Sequence, residues 1–211
     1  MVILVTMKFT TPLDSIFDQA TKIKVLRRLF VTRQDMTIRQ IAASVEMSHV
    51  QAGASLAGLQ RDGVVTSRKV GRAILYRPNM DNVISQMMLA PMFDAEKQLR
   101  ERLLEDLGKK LKPGATGAYI YGSFATGSEG LESDIDLLVI PKSKPSRTLD
   151  DELAGLAELV RTRYGNELNS IILTLSELKK RFKTGDKLIC SIVSGSIPVI
   201  GKSFSEVVSD D

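Results

Sequence analysis

The amino-acid sequence predicts an α+β protein made of two domains joined by a helix. Charge is divided unevenly, since residues 1–80 hold 12 Lys and Arg against 5 Asp and Glu, whereas residues 81–211 hold 17 against 20. Helical periodicity and a hairpin pattern fill the first part, and short apolar strands alternate with helices in the last part. We therefore expect a basic first domain at 1–80, a linker helix at 81–112, and an α/β domain with a small mixed sheet at 113–211.

The composition is typical of a globular protein with an apolar core, since 43% of the 211 residues are hydrophobic and 26% are charged. Cys190 is the single cysteine, so an internal disulfide is excluded and a reducing cytoplasm is expected. The longest apolar runs, 2–5 and 135–140, are too short to cross a bilayer, and the amino terminus lacks the pattern of a secretion signal. We expect a cytoplasmic protein without a membrane partner.

Three helices are predicted in the first domain. Apolar residues at helical spacing predict a helix over 13–30. Thr37 is a suitable N-cap for a second helix over 38–45, and Ser48 for a third helix over 49–60. A helix, a tight turn and another helix in this order are typical of the helix-turn-helix, whose second helix lies in the DNA major groove.

A β-hairpin is predicted directly after the third helix. Asp62 and Gly63 give a turn signal, 64–69 alternates as a strand does, and a returning strand over 73–77 follows the turn at Gly71. The hairpin carries the cations Arg68, Lys69, Arg72 and Arg77. Such a concentration of positive charge suits contact with phosphates.

Residues 13–80 resemble the winged helix-turn-helix domains of small bacterial and archaeal transcriptional repressors. The order of elements and the segments LQRDGVV and VGRAILYR carry the resemblance. It implies binding of double-stranded DNA, with base contacts from the start of the third helix and phosphate contacts from the hairpin. The DNA-contacting residues expected from this resemblance are Ser48, His49, Gln51, Ser55, Arg68, Lys69 and Arg72. The alternatives are helices that only pack a core and a winged helix that binds protein.

Residues 81–111 form a long amphipathic segment in which Pro91 should end or kink a helix. An apolar stripe follows among charged residues, and it suits either a bridge between the domains or pairing with a second copy. The stripe consists of Phe93, Leu99, Leu103, Leu104, Leu107 and Leu111. A homodimer is expected because winged-helix regulators usually bind symmetric operators.

Two carboxylates are placed in a strand-like part of the second domain. Strands are predicted over 118–121 and 135–140, and the segment between them reads GSFATGSEGLES. Asp134 and Asp136 are spaced i, i+2, so on a strand both side chains point to one face. Adjacent carboxylates repel each other, and burying them unpaired is costly, so water or a cation must compensate. Mg²⁺ (or Mn²⁺) shared with a nucleoside triphosphate meets that need.

This stretch resembles the signature of DNA polymerase β-like nucleotidyltransferases, in which a Gly-Ser turn is followed after about ten residues by Asp-apolar-Asp-apolar. Here ten residues separate Ser123 from Asp134. The resemblance implies that Asp134 and Asp136 ligate metal and act in catalysis. It also implies two metal ions, one activating an attacking hydroxyl and one holding the departing phosphates. The residues expected to hold the triphosphate are Gly122, Ser123, Thr126 and Ser128.

The sequence departs from this family pattern at two positions. Catalysis in the family usually needs a third carboxylate on a neighbouring strand, here predicted over 168–174, and Asn169 occupies its place. Asn supplies a neutral oxygen and no charge, and Glu167, two residues earlier, is the candidate substitute. Thr126 stands where many relatives carry a basic residue. These departures leave two alternatives open, active transfer and a domain of weak or lost activity, with Asn169 and Glu167 as the remaining catalytic candidates.

The rest of the second domain is predicted to be compact. A helix is expected over 148–163, a second one from a cap at Ser176 through 182, and a third over 186–193. The closing segment SIPVIG suggests a turn or a short strand. The basic residues 179–183 are expected to form a solvated helix face or to hold an acidic co-substrate such as RNA.

Two functions follow from these observations. The first is a DNA-binding transcriptional regulator whose second domain binds a Mg-nucleotide. The alternative is an active nucleotidyltransferase that moves a nucleoside monophosphate from a triphosphate to an RNA, protein or small-molecule hydroxyl. A protein that uses both domains only as scaffolds is the third possibility.

Overall fold

A computed structural model of the chain describes residues 9–128, 130, 133–144 and 147–209. The chain divides into two compact units, residues 1–99 and 100–211. This division falls inside a long helix, and the predicted domain boundaries remain predictions. None of the helices in the described ranges is long and apolar enough to cross a membrane. The apolar run over 2–5 lies outside the described residues.

The first unit has the predicted succession of helices. They are α1 (Ala20–Thr32), α2 (Ile38–Ser44) and α3 (His49–Arg61). The predicted N-caps are confirmed, since the Thr37 hydroxyl accepts from the Gln40 N–H and the Ser48 hydroxyl from the Gln51 N–H. The Gln40 and Gln51 side chains accept in return from the backbone N–H of the caps, which satisfies donors that a helix start leaves unpaired.

The predicted start of the first helix was wrong. The helix begins at Ala20 rather than at residue 13, because the backbone of Gln19 is extended (φ −140°). The residues before it form a turn in which the Ile16 and Phe17 N–H groups donate to the Leu13 carbonyl at 3.1 and 2.9 Å. Ile16 is fully buried. The apolar spacing at 13–17 therefore reflects a turn that packs on the core.

A small antiparallel sheet completes the first unit. It consists of β1 (Met36–Thr37), β2 (Val65–Val70) and β3 (Ala73–Pro78), in the order β1-β3-β2. The predicted hairpin is confirmed, with Val70 opposite Ala73 and a positive φ of 57° at Gly71 in the turn. The strand β1 was not predicted, since two residues are too few to give a periodic signal.

A π-helical turn (Ser85–Leu89) leads into α4 (Ala90–Leu111). Pro91 is the second residue of α4 and directly follows the π-helical turn, in which the Ala90 N–H donates to the Ser85 carbonyl. Within the first unit, the Phe93 ring packs on Phe30 with centroids 5.6 Å apart. Leu99 departs from the predicted apolar stripe, because 60% of it is exposed.

The second unit has the predicted mixed sheet. Its strands are β4 (Ala115–Tyr121), β5 (Ile135–Pro141), β6 (Leu168–Ile172) and β7 (Ile197–Ile200). Its helices besides α4 are α5 (Gly122–Thr126), α6 (Arg147–Tyr164), α7 (Leu175–Lys183), α8 (Lys187–Gly195) and α9 (Phe204–Ser209). The sheet order is β6-β5-β4-β7, with β5 and β6 parallel and the other pairs antiparallel.

Alternate residues of β5 pack into two different clusters. Leu137 and Val139 join residues of α4 and α6, whereas Leu138 and Ile140 join residues of α7, α8 and α9. Both faces of the strand are therefore covered along most of its length, which explains its continuous apolar sequence. Asp136 and Leu138 are two residues apart, so their side chains point to the same face of the strand. This is the face that α7, α8 and α9 cover.

The cap of α7 differs from the prediction. Thr174 is the N-cap, since its hydroxyl accepts from the Glu177 N–H and the Glu177 carboxylate accepts from the Thr174 N–H at 2.9 Å. Ser176, the predicted cap, lies inside the helix. The strand before it ends at Ile172 rather than at 174. The two errors share one cause. The predicted strand was too long, and this displaced the predicted start of α7 toward the carboxyl terminus.

Candidate functional site

The two aspartates lie at the start of β5, the second strand from one edge of the sheet. Asp134 directly precedes the strand and is exposed, whereas Asp136 is half-buried within it. Asp136 is paired with Tyr121 on β4 and with Asn169 on β6. The structure therefore brings the candidate carboxylates and Asn169 together, as the sequence predicts.

The electrostatics of the pair are unfavourable without a counter-charge. Burial raises the pKa of Asp136 above its ordinary value, the nearby charge of Asp134 raises it further, and a hydrogen bond from Asn169 opposes the rise. Burial also raises the pKa of the Tyr121 hydroxyl, and the charge of Asp136 adds to this effect. A cation at the two carboxylates would reverse this cost, because it favours their ionised forms.

Gly122 is the residue that lets the backbone approach Asp136. Its φ is +74°, a conformation that L side chains rarely adopt, and a Cβ at this position would lie 2.5 Å from the Asp136 Oδ2. Real Cβ atoms do not come so close to an oxygen. A glycine is therefore required at this position for two reasons, the backbone conformation and the lack of space beside the carboxylate.

Thr126 and Ser128 brace the loop formed by residues 122–128, which we call the Gly-Ser loop. The Thr126 hydroxyl lies 3.1 Å from the Ser123 carbonyl and 2.8 Å from the Ser128 hydroxyl. The Ser128 N–H also donates to the Ser123 carbonyl at 3.0 Å. These bonds hold the loop in place, and the predicted contacts of Thr126 and Ser128 with a nucleotide remain predictions.

Asn169 is a hydrogen-bond donor at the place of the third carboxylate. Its Nδ2 donates to the Asp134 Oδ2 at 3.0 Å. Glu167 lies just before β6, and its backbone carbonyl accepts from the Ile135 N–H at 2.9 Å. Within the described ranges, no three His, Cys, Asp or Glu residues are grouped so that they could hold a metal ion. The role of Glu167 as a substitute for the third carboxylate stays a prediction.

This donor set fits one divalent cation better than two. Mg²⁺ commonly takes one or two carboxylates from a protein and completes its octahedron with phosphate oxygens and water. Asp134 and Asp136 supply such a pair, and the backbone of Gly122 lies against the Asp136 carboxylate. A second ion would need the further negative charge that Asn169 lacks.

Arg100 is a site residue that the sequence did not reveal. Its Nη2 donates to the Phe124 carbonyl at 2.6 Å and to the Ala125 carbonyl at 3.1 Å, and its guanidinium lies 5.0 Å from the centroid of the Phe124 ring. An arginine on an amphipathic helix gives no signal of such a role. The contact partners are 24 and 25 residues away in the chain.

The predicted DNA-contacting residues of α3 differ in their surroundings. Ser48 and His49 are exposed at the helix start. The Gln51 side chain is engaged in the N-cap, where its Oε1 accepts from the Ser48 N–H at 3.1 Å. Ser55 is 1% exposed and lies on the core-facing side of the helix with Ala52. Because a base cannot reach a buried hydroxyl, the prediction for Ser55 is corrected and the residue is withdrawn.

The hairpin cations are also not equivalent. The Arg68 Nε donates to the Asp35 carboxylate at 3.0 Å, so part of its charge is already balanced within the unit. Lys69 and Arg72 are exposed beside the turn at Gly71. The sequence did not predict the hydrogen bond between Asp35 and Arg68, because the two residues are 33 positions apart.

Comparison with known proteins assigns the second unit to a family. The family described as polymerase beta nucleotidyltransferase matches residues 105–194. A putative protein adenylyltransferase of Methanocaldococcus jannaschii is 34% identical over 106 residues, which span 47% of this chain and 70% of the relative. This chain belongs to the polymerase beta nucleotidyltransferase family. Nucleotidyltransferases of this family generally use a nucleoside triphosphate and a divalent metal ion.

Solved structures resemble this chain only distantly. HlyU from Vibrio cholerae is 20% identical, with a TM-score of 0.35 over 42% of this chain and 88% of that one. A toxin-antitoxin structure with AMP-PNP is 15% identical, with a TM-score of 0.36 over 50% of this chain and 80% of that one. Both TM-scores are below 0.5, so the assignment to the family stands on the sequence matches.

Replacing Gly122 by Ala should destabilise the chain more than replacing Gly127 by Ala. Both glycines have a positive φ, +74° and +72°, but a Cβ at Gly127 has no neighbour within 4 Å. Each alanine costs roughly 1 kcal/mol for its left-handed backbone, and Gly122→Ala must in addition displace the Asp136 carboxylate. Urea unfolding of both variants measures the difference. Equal decreases in the free energy of unfolding would show that Asp136 moves away without cost.

Proposed function

We propose that this chain is a DNA-binding transcriptional regulator whose second unit binds a Mg-nucleotide. The observation that carries the nucleotide-binding part is the close approach of Gly122 to the Asp136 carboxylate, beside Asp134. Asn169 at the place of the third acid favours a domain of weak or lost transfer activity over an efficient enzyme. The DNA contacts and the metal ligands named below belong to this proposal.

The first unit has the features that we propose for a winged helix-turn-helix. Two capped helices, α2 and α3, are separated by a short turn, and the β2–β3 hairpin follows as the wing. Residues 1–80 hold 12 Lys and Arg against 5 Asp and Glu. This excess of positive charge over residues 1–80 favours a polyanionic partner, and we propose double-stranded DNA.

The residues that we propose to contact bases and phosphates are fewer than those predicted from the sequence. We propose His49 and Ser48, exposed at the start of α3, for contacts at the groove. Lys69 and Arg72, exposed at the tip of the wing, are proposed for phosphates. Arg68 is a weaker candidate because Asp35 already pairs with it, and Gln51 would have to leave its cap to reach a base.

Changing Lys69 and Arg72 together to Ala should weaken binding to any duplex. The slope of log K against log salt should become shallower by about 0.9 for each phosphate that the variant no longer neutralises. Fluorescence anisotropy with a labelled duplex at several salt concentrations measures both quantities. The matched control changes Lys110 and Lys183, two exposed lysines of the second unit, to Ala. An unchanged slope in the Lys69/Arg72 variant would remove the wing from the proposal.

Asp134 and Asp136 are proposed to hold Mg²⁺ (or Mn²⁺), which supplies positive charge to a bound triphosphate. The pair needs such a charge, because burial and mutual repulsion disfavour two ionised carboxylates. Gly122 and Ser123 are proposed to lie against the phosphates, since Gly122 is exposed and its backbone lies beside the Asp136 carboxylate. Thr126 and Ser128 stay in the proposal as loop residues that hold this backbone in position.

Nucleotide binding should require both aspartates and should depend on a divalent cation. The double change of Asp134 and Asp136 to Asn should abolish Mg²⁺-dependent binding of a fluorescent ATP analogue, whereas the same change at Asp150 and Asp151, exposed on α6, should not. Asn169→Asp should raise any transfer of label from α-labelled triphosphates to acceptors in host extract. Binding that survives without Asp134 and Asp136 would contradict the proposed site.

The alternative function is active transfer, and the relative favours one acceptor class. The protein of Methanocaldococcus jannaschii is described as a putative protein adenylyltransferase. If this chain has the corresponding activity, its acceptor is a protein hydroxyl and its donor is ATP. Label that enters protein in the extract, and is absent with the Asp134/Asp136 variant, would select this alternative and would identify the acceptor.

We also propose that two copies pair through the first unit. Large apolar side chains are exposed along the π-helical turn and the start of α4, with exposed fractions of 45% at Val83, 72% at Met87, 44% at Met88 and 39% at Met92. They recur near helical spacing, so they form one strip rather than scattered positions. A strip that faces its own copy is self-complementary, as a two-fold interface requires.

Met87→Lys should convert the dimer into a monomer, because it places a charge in the centre of the strip. Light scattering after size-exclusion chromatography measures the mass of both forms. Leu175→Lys, at an exposed leucine of α7, is the control that adds the same charge elsewhere. A monomeric unmodified chain would contradict the proposed pairing, whatever the variants do.

A further inference from the structure

Arg100 joins the Gly-Ser loop from outside its own sequence neighbourhood. Its guanidinium donates to two carbonyls at the end of α5 and covers the ring of Phe124. We propose that Arg100 is a positioning residue for the nucleotide, which acts by fixing the Gly-Ser loop beside Asp136. The inference rests on the proposed nucleotide site and names a residue on which that site depends.

The helix α5 is too short to hold its own shape. It has five residues, Gly122–Thr126. Forming a first helical turn is unfavourable in isolation, and a helix this short depends on its tertiary contacts. The orientation of Gly122 and Ser123 therefore depends on whatever holds α5 in place.

The carbonyls that end α5 need donors from elsewhere in the chain. The Ser123 carbonyl accepts from the Ser128 N–H at 3.0 Å, and the Phe124 carbonyl has a long bond of 3.4 Å from the Gly127 N–H. Arg100 adds a donor at 2.6 Å to the Phe124 carbonyl and one at 3.1 Å to the Ala125 carbonyl. The arginine thus adds a short bond to the Phe124 carbonyl, whose other bond is long, and supplies a donor to the Ala125 carbonyl.

An arginine suits this place better than another cation. The planar guanidinium stacks on a ring and bonds two acceptors at once, whereas a lysine ammonium is a point charge on a flexible stem. Phe124 packs against the core of the second unit, so the ring provides a fixed surface for the stack. A positive charge at the carboxyl end of α5 is also favoured by the helix dipole.

The contacts of Arg100 with the end of α5 affect Gly122, which lies at the start of this helix. Gly122 has space only for a hydrogen beside the Asp136 Oδ2, so a small rotation of the helix moves its backbone onto or away from the carboxylate. Removal of the Arg100 side chain should therefore change nucleotide binding without changing the charge of the aspartates. The side chain itself need not touch the nucleotide.

The test compares Arg100→Met and Arg100→Lys with Arg102→Met. Arg102 lies on the same helix, and its nearest ion-pair partner, Asp106, is 4.0 Å away. Arg100→Met should weaken Mg²⁺-dependent binding of a fluorescent ATP analogue by roughly tenfold, the usual effect of removing a charge-assisted hydrogen bond. Arg100→Lys should restore part of the affinity, and Arg102→Met should bind as the unmodified chain does.

Two further readouts separate positioning from a simple decrease in stability. Hydrogen exchange at the Gly127 and Ser128 amides should be faster in Arg100→Met and unchanged in Arg102→Met, because these amides bond to α5. Binding of Mn²⁺ alone, measured by electron paramagnetic resonance, should stay the same, because the aspartates are intact. If Arg100→Met merely unfolded the chain, Mn²⁺ binding would disappear as well and the inference would be overturned.

The remaining outcomes are distinguishable. Full nucleotide affinity in Arg100→Met would overturn the inference and leave the proposed function standing. An unmodified chain that binds Mn²⁺ but no nucleotide, or binds neither, would overturn the proposed function and with it the role of Arg100. Accelerated exchange at Gly127 and Ser128 together with reduced affinity is the combination that supports the inference.

Discussion

The second unit is organised around one electrostatic constraint, the placement of two carboxylates at the start of a strand that is otherwise apolar. Asp136 is half-buried, and burial together with Asp134 raises its pKa. Such an arrangement weakens the isolated fold, since it opposes ionisation of a group that is charged at neutral pH. A cation at the pair would make the arrangement favourable, which is the physical basis of the proposed metal site.

Other features of the sheet follow from the same constraint. The backbone of Gly122 can approach Asp136 because no side chain intervenes. The strand β6 lies parallel beside β5 and brings Asn169 into register with Asp136. An amide at this position donates to Asp134 at 3.0 Å and stabilises the pair without adding a third negative charge. The site is thus easier to maintain without metal than one with three carboxylates.

Local rules made part of the fold and the site predictable, whereas features that depend on distant partners needed the structure. The caps at Thr37 and Ser48 bond to residues three positions away, so their signals lie within a short stretch of sequence. Gly122 was recognisable as a turn residue, but its clearance from the neighbouring carboxylate was not. Ser55 reads as a polar residue near a helix start, and only the packing of α3 shows that it is buried. Arg100 reaches the Gly-Ser loop across 24 residues, a distance at which no periodic pattern gives a signal.

The place of Asn169 connects fold and function most directly. A carboxylate there would complete the family's charge set, but three acids at one end of a sheet repel each other unless metal is always present. Asn keeps the hydrogen bond to Asp134 and removes the repulsion. In the proposed function, a domain with this substitution keeps the pair of acids and the backbone of Gly122 beside them, and lacks only the charge expected to serve the attacking group. Under the proposed function this division suits a domain that senses a nucleotide, because sensing requires occupancy and rapid turnover would empty the site.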